Sequence, residues 1–261
     1  MMRIHVFSSG SGGNCLLLVD NDTKIMIDAG ISKRRTEAAL TALGYHMADI
    51  GGVLITHEHS DHIYGLVPIV KCWGTPVYAP HTVANRLRGA FPVLEEHIRI
   101  VPTGAPFLLG GLQILAFHTS HDTDESVGYR IEGSAVYGHA TDTGVVTDEM
   151  RDALRGADTV LLESNHDEQL LRDGPYPFYL KKRILSERGH LSNAACAAFA
   201  RELAESGTRR IVLAHLSQEN NRPELAMAET ERALRGTGAE LFCAPVSGCL
   251  TVEVEGIACS V

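Results

Sequence analysis

The chain has 261 residues, 44% of them hydrophobic, with 32 acidic against 23 basic side chains and a formal net charge of −9. That length makes one domain over residues 1–261 the default with a sizeable core, and the negative balance argues against a broad basic face for nucleic acid. The six cysteines form no Cys-x-x-Cys pair, no basic start precedes an apolar leader, and no apolar run approaches the ~20 residues that span a bilayer. The expectation is a cytoplasmic protein, away from any membrane, with free and mostly buried thiols at Cys15, Cys72, Cys196, Cys243, Cys249 and Cys259.

In chain order, a strand at 4–7 runs into Ser8-Ser9-Gly10-Ser11-Gly12-Gly13-Asn14-Cys15. Small residues there let backbone N–H groups approach an anion, with Ser11 and Asn14 as substrate contacts; a tight hairpin turn fits the same residues. Strands at 16–19 and 24–27 and a helix at 33–43 follow. The strand at 53–55 then enters Thr56-His57-Glu58-His59-Ser60-Asp61-His62. His57 and His59, two apart on extended chain, project their rings to one side. Asp61 and His62 come where the chain turns into a helix and reach toward a second point close by. Crowded nitrogen and oxygen ligands suit zinc, manganese or iron, and two such groups suit a metal pair. A polar loop with a chance histidine cluster is disfavoured by the strand before and the helix after.

A strand at 77–79, a helix at 82–89 and a strand at 113–117 lead to His118 and His121. His121 is the better ligand candidate; His118 reads as a strand residue or a group behind the ligands. Strands at 127–131 and 135–137 precede Asp142, whose two carboxylate oxygens can bridge two cations, although a turn or helix cap fits an isolated Asp-Thr-Gly. A helix at 148–155 and a strand at 160–162 come next, ending in Glu163-Ser164-Asn165-His166-Asp167. The stretch Pro175-Tyr176-Pro177-Phe178-Tyr179-Leu180 sets aromatics beside Lys181, Lys182 and Arg183, which suits phosphate and base contacts or an ordinary solvated turn. In Gly189-His190-Leu191-Ser192-Asn193, just before a helix at 192–206, His190 can pass a proton to a leaving oxygen with Glu163 orienting it, and Ser192 and Asn193 are further contacts. A strand at 211–214 delivers His215, a ligand or a satisfied buried histidine, followed by Ser217 and Asn220 as polar contacts for substrate. A helix at 223–235 and a strand at 241–243 complete the pattern. Strands lead each half and helices intervene, which fits two sheets face to face with helices outside.

The run His57-x-His59-x-Asp61-His62, then His121, Asp142 and His215 in that order, resembles the ligand pattern of the metallo-β-lactamase-fold hydrolase superfamily over nearly the whole chain. The resemblance implies an α/β fold, a four-layer αββα sandwich with the site at one edge. It also implies two divalent metal ions (zinc or manganese, iron possible), with His57, His59 and His121 at one, Asp61, His62 and His215 at the other, and Asp142 bridging. Within the superfamily, Ser9-Gly10-Ser11-x-Gly13-Asn14-Cys15, Glu163-x-Asn165-His166-Asp167, Leu180-Lys181-x-Arg183, Gly189-His190-Leu191-Ser192-Asn193 and His215-Leu216-Ser217-x-x-Asn220-Asn221 resemble the YycJ (WalJ) group. That likeness implies phosphodiester cleavage with Asp61, His190 and Glu163 as catalytic groups and DNA as substrate, by 5′-to-3′ exonuclease action on the duplex. Hydrolysis of a small phosphodiester, thioester or lactone is the alternative, and a non-catalytic, metal-bound DNA-binding module is the second.

Overall fold

The computed structural model describes residues 1–256. The first half of the chain lays down β1 (Met2–Ser8), β2 (Cys15–Asp20), β3 (Thr23–Ile27), β4 (Gly52–Leu54), β5 (Val77–Ala79) and β6 (Ile98–Ile100). The second half lays down β7 (Pro106–Leu109), β8 (Leu112–His118), β9 (Val127–Glu132), β10 (Val136–Ala140), β11 (Thr159–Glu163), β12 (Arg210–Ala214) and β13 (Glu240–Cys243), before β14 (Leu250–Val254) returns to pair with β1. Two seven-stranded sheets result, ordered β14-β1-β2-β3-β4-β5-β6 and β13-β12-β11-β10-β9-β8-β7. In each, antiparallel pairing gives way to parallel ladders, at β3–β4 in the first and β10–β11 in the second.

Alternation along the strands builds both cores. Ile4, Val6, Leu16, Leu18, Ile25 and Ile27 point between the sheets, where they meet Ile114, Ala116, Tyr129, Tyr137, Leu161 and Val212. Their neighbours Leu17, Val19 and Met26 face outward, under α1 (Lys33–Ala42), α3 (Leu66–Trp73) and α4 (His81–Ala90). On the second sheet Val160, Leu162, Ile211 and Leu213 are covered by α5 (Asp148–Leu154), α8 (Asn193–Glu205) and α9 (Pro223–Leu234). Because both faces of each sheet are covered, β2 reads Cys-Leu-Leu-Leu-Val-Asp and every residue of it is buried. The architecture is the αββα sandwich. Each fully buried Leu, Ile or Val contributes about 1.5–3 kcal/mol relative to exposure. Tyr129 also donates from its hydroxyl to the Ile55 carbonyl at 2.6 Å, which fixes the second sheet against the segment leading to His57.

The five expected helices form, each within a residue or two of its expected ends. Short elements also occur where none was expected: α3, α6 (Glu168–Asp173), α7 (Phe178–Ile184), β6, β7 and β14. The thiols divide: Cys15 and Cys196 are buried, and burial pushes both up to about 12, whereas Cys72 and Cys249 are exposed and Cys243 lies between. The expectation of mostly buried thiols therefore fails for the described residues, and Cys259 lies outside them. Among the described residues no helix is long and apolar enough to cross a membrane.

Candidate metal centre

The seven expected ligands all sit beyond the ends of strands that converge on one edge of the sandwich. Three residues past β4 the chain reaches His57; His59 caps the four-residue helix α2 (Ser60–Ile63), which carries Asp61 and His62. The other three come singly: His121 after β8, Asp142 after β10 and His215 after β12. They gather into overlapping groups, His57–His59–His121, Asp61–His62–His215 and His57–His62–Asp142, and within each group the ligand atoms lie within 4.8 Å of one another. Asp142 stands between the first two groups. Its Oδ2 is 3.3 Å from His62 Nε2, and its Oδ1 is 3.8 Å from His121 Nε2 and 3.6 Å from His215 Nε2.

Four imidazoles are held from behind through Nδ1, so that Nε2 faces inward. His57 Nδ1 is 3.1 Å from Thr56 Oγ1, His62 Nδ1 is 2.7 Å from Asp28 Oδ2, His121 Nδ1 is 3.1 Å from the Gly189 carbonyl, and His215 Nδ1 is 2.9 Å from Glu163 Oε1. This is how proteins fix the tautomer and aim of histidines that ligate metal. The inward atoms His57 Nε2, His215 Nε2 and Asp142 Oδ2 are buried without any hydrogen-bond partner. An orphaned buried polar atom costs about 1–3 kcal/mol, and three orphans aimed at one small space fit cations there. The donor set, imidazoles with two carboxylates, suits zinc, manganese or iron. The backbone is strained at the same place: Asp28, Asp142 and His215 have φ of 58°, 55° and 55°.

A family model described as the beta-lactamase superfamily domain matches residues 23–216, a span that contains all seven ligands. The chain belongs to the beta-lactamase superfamily. It is 35% identical over 246 residues to an "Exodeoxyribonuclease YycJ" of Bacillus anthracis, covering 91% of this chain and 90% of the relative. It is 36% identical over 230 residues to an "Exodeoxyribonuclease WalJ" of Streptococcus pneumoniae, covering 86% and 85%. Among solved structures, the metallo-beta-lactamase fold protein YhfI of Bacillus subtilis superposes with a TM-score of 0.73 at 18% identity, over 97% of this chain and 100% of that one. As a member of the superfamily the chain is a metal-dependent hydrolase.

The buried ionisable groups of this centre shift one another strongly. Burial pushes the Asp142 carboxyl up, but His215 and His62 outweigh it and hold the group well below the usual carboxylate range. Burial likewise lowers His215, yet Asp142, Asp61 and Glu163 carry it up to about 10. His57, with no carboxylate behind it, is driven well below its ordinary value by burial and then by His62. A fourth group, Asp142–Glu163–His190–His215, is already closed by hydrogen bonds: Glu163 Oε1 lies 2.7 Å from His190 Nδ1 and 2.9 Å from His215 Nδ1. Glu163 Oε2 accepts from the backbone of Thr143 and Leu191, and with both imidazoles its carboxyl falls to about 2 despite full burial.

The expected substrate contacts separate into two sets. Ser11, Arg183 and Ser217 line a cleft of about 170 Å³ with His121, His190 and Tyr176. Lys181 and Lys182 do not; they line a different hollow with Phe178 and Leu185, on the far side of α7, and Lys181 Nζ donates to the Arg172 carbonyl at 2.6 Å. The basic stretch is a helix rather than a turn, so consecutive cations point in different directions. Asn14, Asn193 and Asn220 are buried and engaged within the protein. Asn14 closes the Ser8–Cys15 loop, accepting from Gly10 N at 2.9 Å, and donates toward Asp61 Oδ2 at 3.3 Å. Asn193 bonds Ser164 and Asn221, and Asn220 bonds Ser217. Ser192 caps α8 by accepting from Ala195 N. In this structure these four side chains bond within the protein and line neither cleft. His118 ends β8 exposed and bonds Glu149. The sequence reading missed Asp28 and Thr56, which position ligands, and Asp122, which pairs with Arg183 and lies 3.3 Å from His121 Nε2. Their signal was position: Asp28 follows β3 directly, and the other two adjoin ligands in sequence.

Proposed function

We propose that the chain is a dinuclear-metal-dependent phosphodiester hydrolase of the cytoplasm that degrades duplex DNA from the 5′ end. The observation that carries this reading is the His190–Glu163 pair set beside the two ligand groups. The names of the two exodeoxyribonuclease relatives support the same substrate class. Two divalent cations, zinc or manganese with iron also suitable, held by the seven ligands with Asp142 between them, would supply charge for phosphate oxygens and an acidified water.

The rest of the work falls to side chains. Glu163 occupies His190 Nδ1 at 2.7 Å, so the proton His190 offers to substrate is on Nε2. Glu163 also favours the protonated form of His190: burial lowers this imidazole, but the carboxylate outweighs burial and the net displacement is upward. A sugar alkoxide is a poor leaving group and needs that proton, whereas a thiolate does not, which favours a phosphodiester over a thioester. Arg183, tied to Asp122, presents a cation to the cleft on the His190 side. Asp61 is the most open carboxylate of the ligand set, with 23% of its side chain exposed, and faces the opposite cleft.

The experiment is to incubate zinc- or manganese-loaded protein with end-labelled single- and double-stranded DNA and RNA, alongside bis-p-nitrophenyl phosphate and a thioester. Progressive shortening of duplex DNA from its 5′ end is the expected result. Thioester turnover with every nucleic acid left intact would sink the proposal.

A further inference from the structure

Two clefts open from the centre, and the proposed reaction so far uses one. The second, of about 380 Å³, is lined by Asp61, Gly30, Ser32, Arg35 and Tyr64. Ser11 lines both clefts, so they join across the tip of the Ser8–Cys15 loop. They share lining chemistry: Tyr176 and Arg183 both line the His190 cleft, and Tyr64 and Arg35 both line the Asp61 cleft.

We infer that the Arg35–Tyr64 cleft is a second nucleotide subsite, which holds the nucleotide that keeps the phosphate while the His190 cleft holds the one that leaves. The inference rests on the phosphodiesterase reading and extends it to the other side of the scissile bond. If His190 protonates the leaving oxygen, the leaving nucleoside lies on its side of phosphorus. The remaining ester arm must then run elsewhere from the same centre, and the open space begins at Asp61. The volume falls in the range of small-ligand sites.

The side chains suit that occupant. Arg35 is exposed, and its guanidinium makes no salt bridge and no hydrogen bond among the described residues; its backbone N–H donates to Ser32. A guanidinium beside a diester backbone makes charge-assisted hydrogen bonds to phosphate oxygens. The Tyr64 ring is 69% exposed, and an aromatic face open to solvent at the end of a cleft is a stacking platform for a base. The floor is rigid and registered to the centre. Gly30 N donates to the Asn14 carbonyl and Asn14 N to the Asp61 carbonyl, both at 2.7 Å. The Gly30 backbone packs so tightly on Asp61 that an added Cβ would meet the Asp61 oxygen at 1.7 Å.

The test is steady-state turnover of a duplex dodecamer by metal-loaded wild type, Arg35→Ala, Arg35→Lys and Tyr64→Ala, with bound metal and circular dichroism measured on each. Arg35→Ala should raise KM about tenfold with kcat moving much less, and Arg35→Lys should recover part of the loss. Tyr64→Ala should raise KM several-fold on intact DNA. That effect should vanish when the nucleotide that keeps the phosphate is abasic. An unchanged KM in Arg35→Ala and Tyr64→Ala, or a Tyr64→Ala effect that persists on the abasic substrate, overturns the subsite while leaving the nuclease reading intact. A wild type that hydrolyses bis-p-nitrophenyl phosphate but cuts no oligonucleotide overturns both.

Discussion

The two sheets serve the centre in different ways. The first delivers His57, His59, Asp61 and His62 from a single stretch of six residues, whereas the second delivers His121, Asp142 and His215 one at a time from three strands. Behind the front line they match. Each sheet supplies one buried carboxylate to hold an imidazole Nδ1, Asp28 for His62 at 2.7 Å and Glu163 for His215 at 2.9 Å. Only Glu163 also holds His190, so on the proposed mechanism the second sheet couples ligand positioning to proton transfer and the first does not. On the proposed mechanism a compact motif collects metal, whereas the acid step depends on strands that arrive separately.

That contrast can be broken experimentally. The largest effect should come from Asp142→Ala, which removes the group between the two ligand sets; bound metal measured by elemental analysis and nearly all turnover should disappear together. His190→Ala should lower turnover by about 10²–10⁴ while metal content stays at the wild-type level, and full activity in that variant would remove the acid assignment. Asp28→Ala and Glu163→Gln sharpen the comparison. Each should weaken metal affinity about 10–100-fold in a competition titration with a chelator. Only Glu163→Gln should lower turnover further at saturating metal.

A smaller effect concerns His139, a buried histidine of the second sheet that has no carboxylate partner. Burial, aided by the neighbouring His62 and His215, drives it down to about 4, whereas His215 among its carboxylates rises to about 10. Above pH 6.5 His139 is neutral folded or unfolded and has no influence. As pH falls from 6.5 to 4 the unfolded chain takes up a proton that the native state refuses, so stability should drop by up to about 3 kcal/mol. Denaturation midpoints across that window should show a shallower slope in His139→Asn. Smallest of all, Lys182→Ala should change KM for DNA by less than about twofold, because that side chain faces away from the catalytic cleft.

The sequence made the first sheet's ligands legible because chemistry and position coincide there: three imidazoles and a carboxylate directly after an apolar strand. His121, Asp142 and His215 were weaker signals, each with an ordinary explanation, and gained meaning only as a set. Asn14, Asn193 and Asn220, buried in the structure, were ambiguous in sequence because a polar side chain near a motif reads the same whether it meets substrate or is satisfied in the interior. Asp28 was passed over because aspartate before Ala-Gly after a strand looks like a turn. α7 was hidden by Pro-Tyr-Pro and by its seven-residue length, too short for helical periodicity to show. α3 carries Pro68 and β-branched residues that read as non-helical, although proline is tolerated in a first turn.

The left-handed backbone at Asp28, Asp142 and His215 has a bearing on engineering. Glycine would sit there at lower backbone cost, by about a kilocalorie per position. That relief is opposed by the buried partners Thr56, His62 and Glu163, which would lose their hydrogen bonds at about 1–3 kcal/mol each, so a selection for heat tolerance would act on the strain and the contacts together. Screens on this scaffold need turnover in the selection step from the first round.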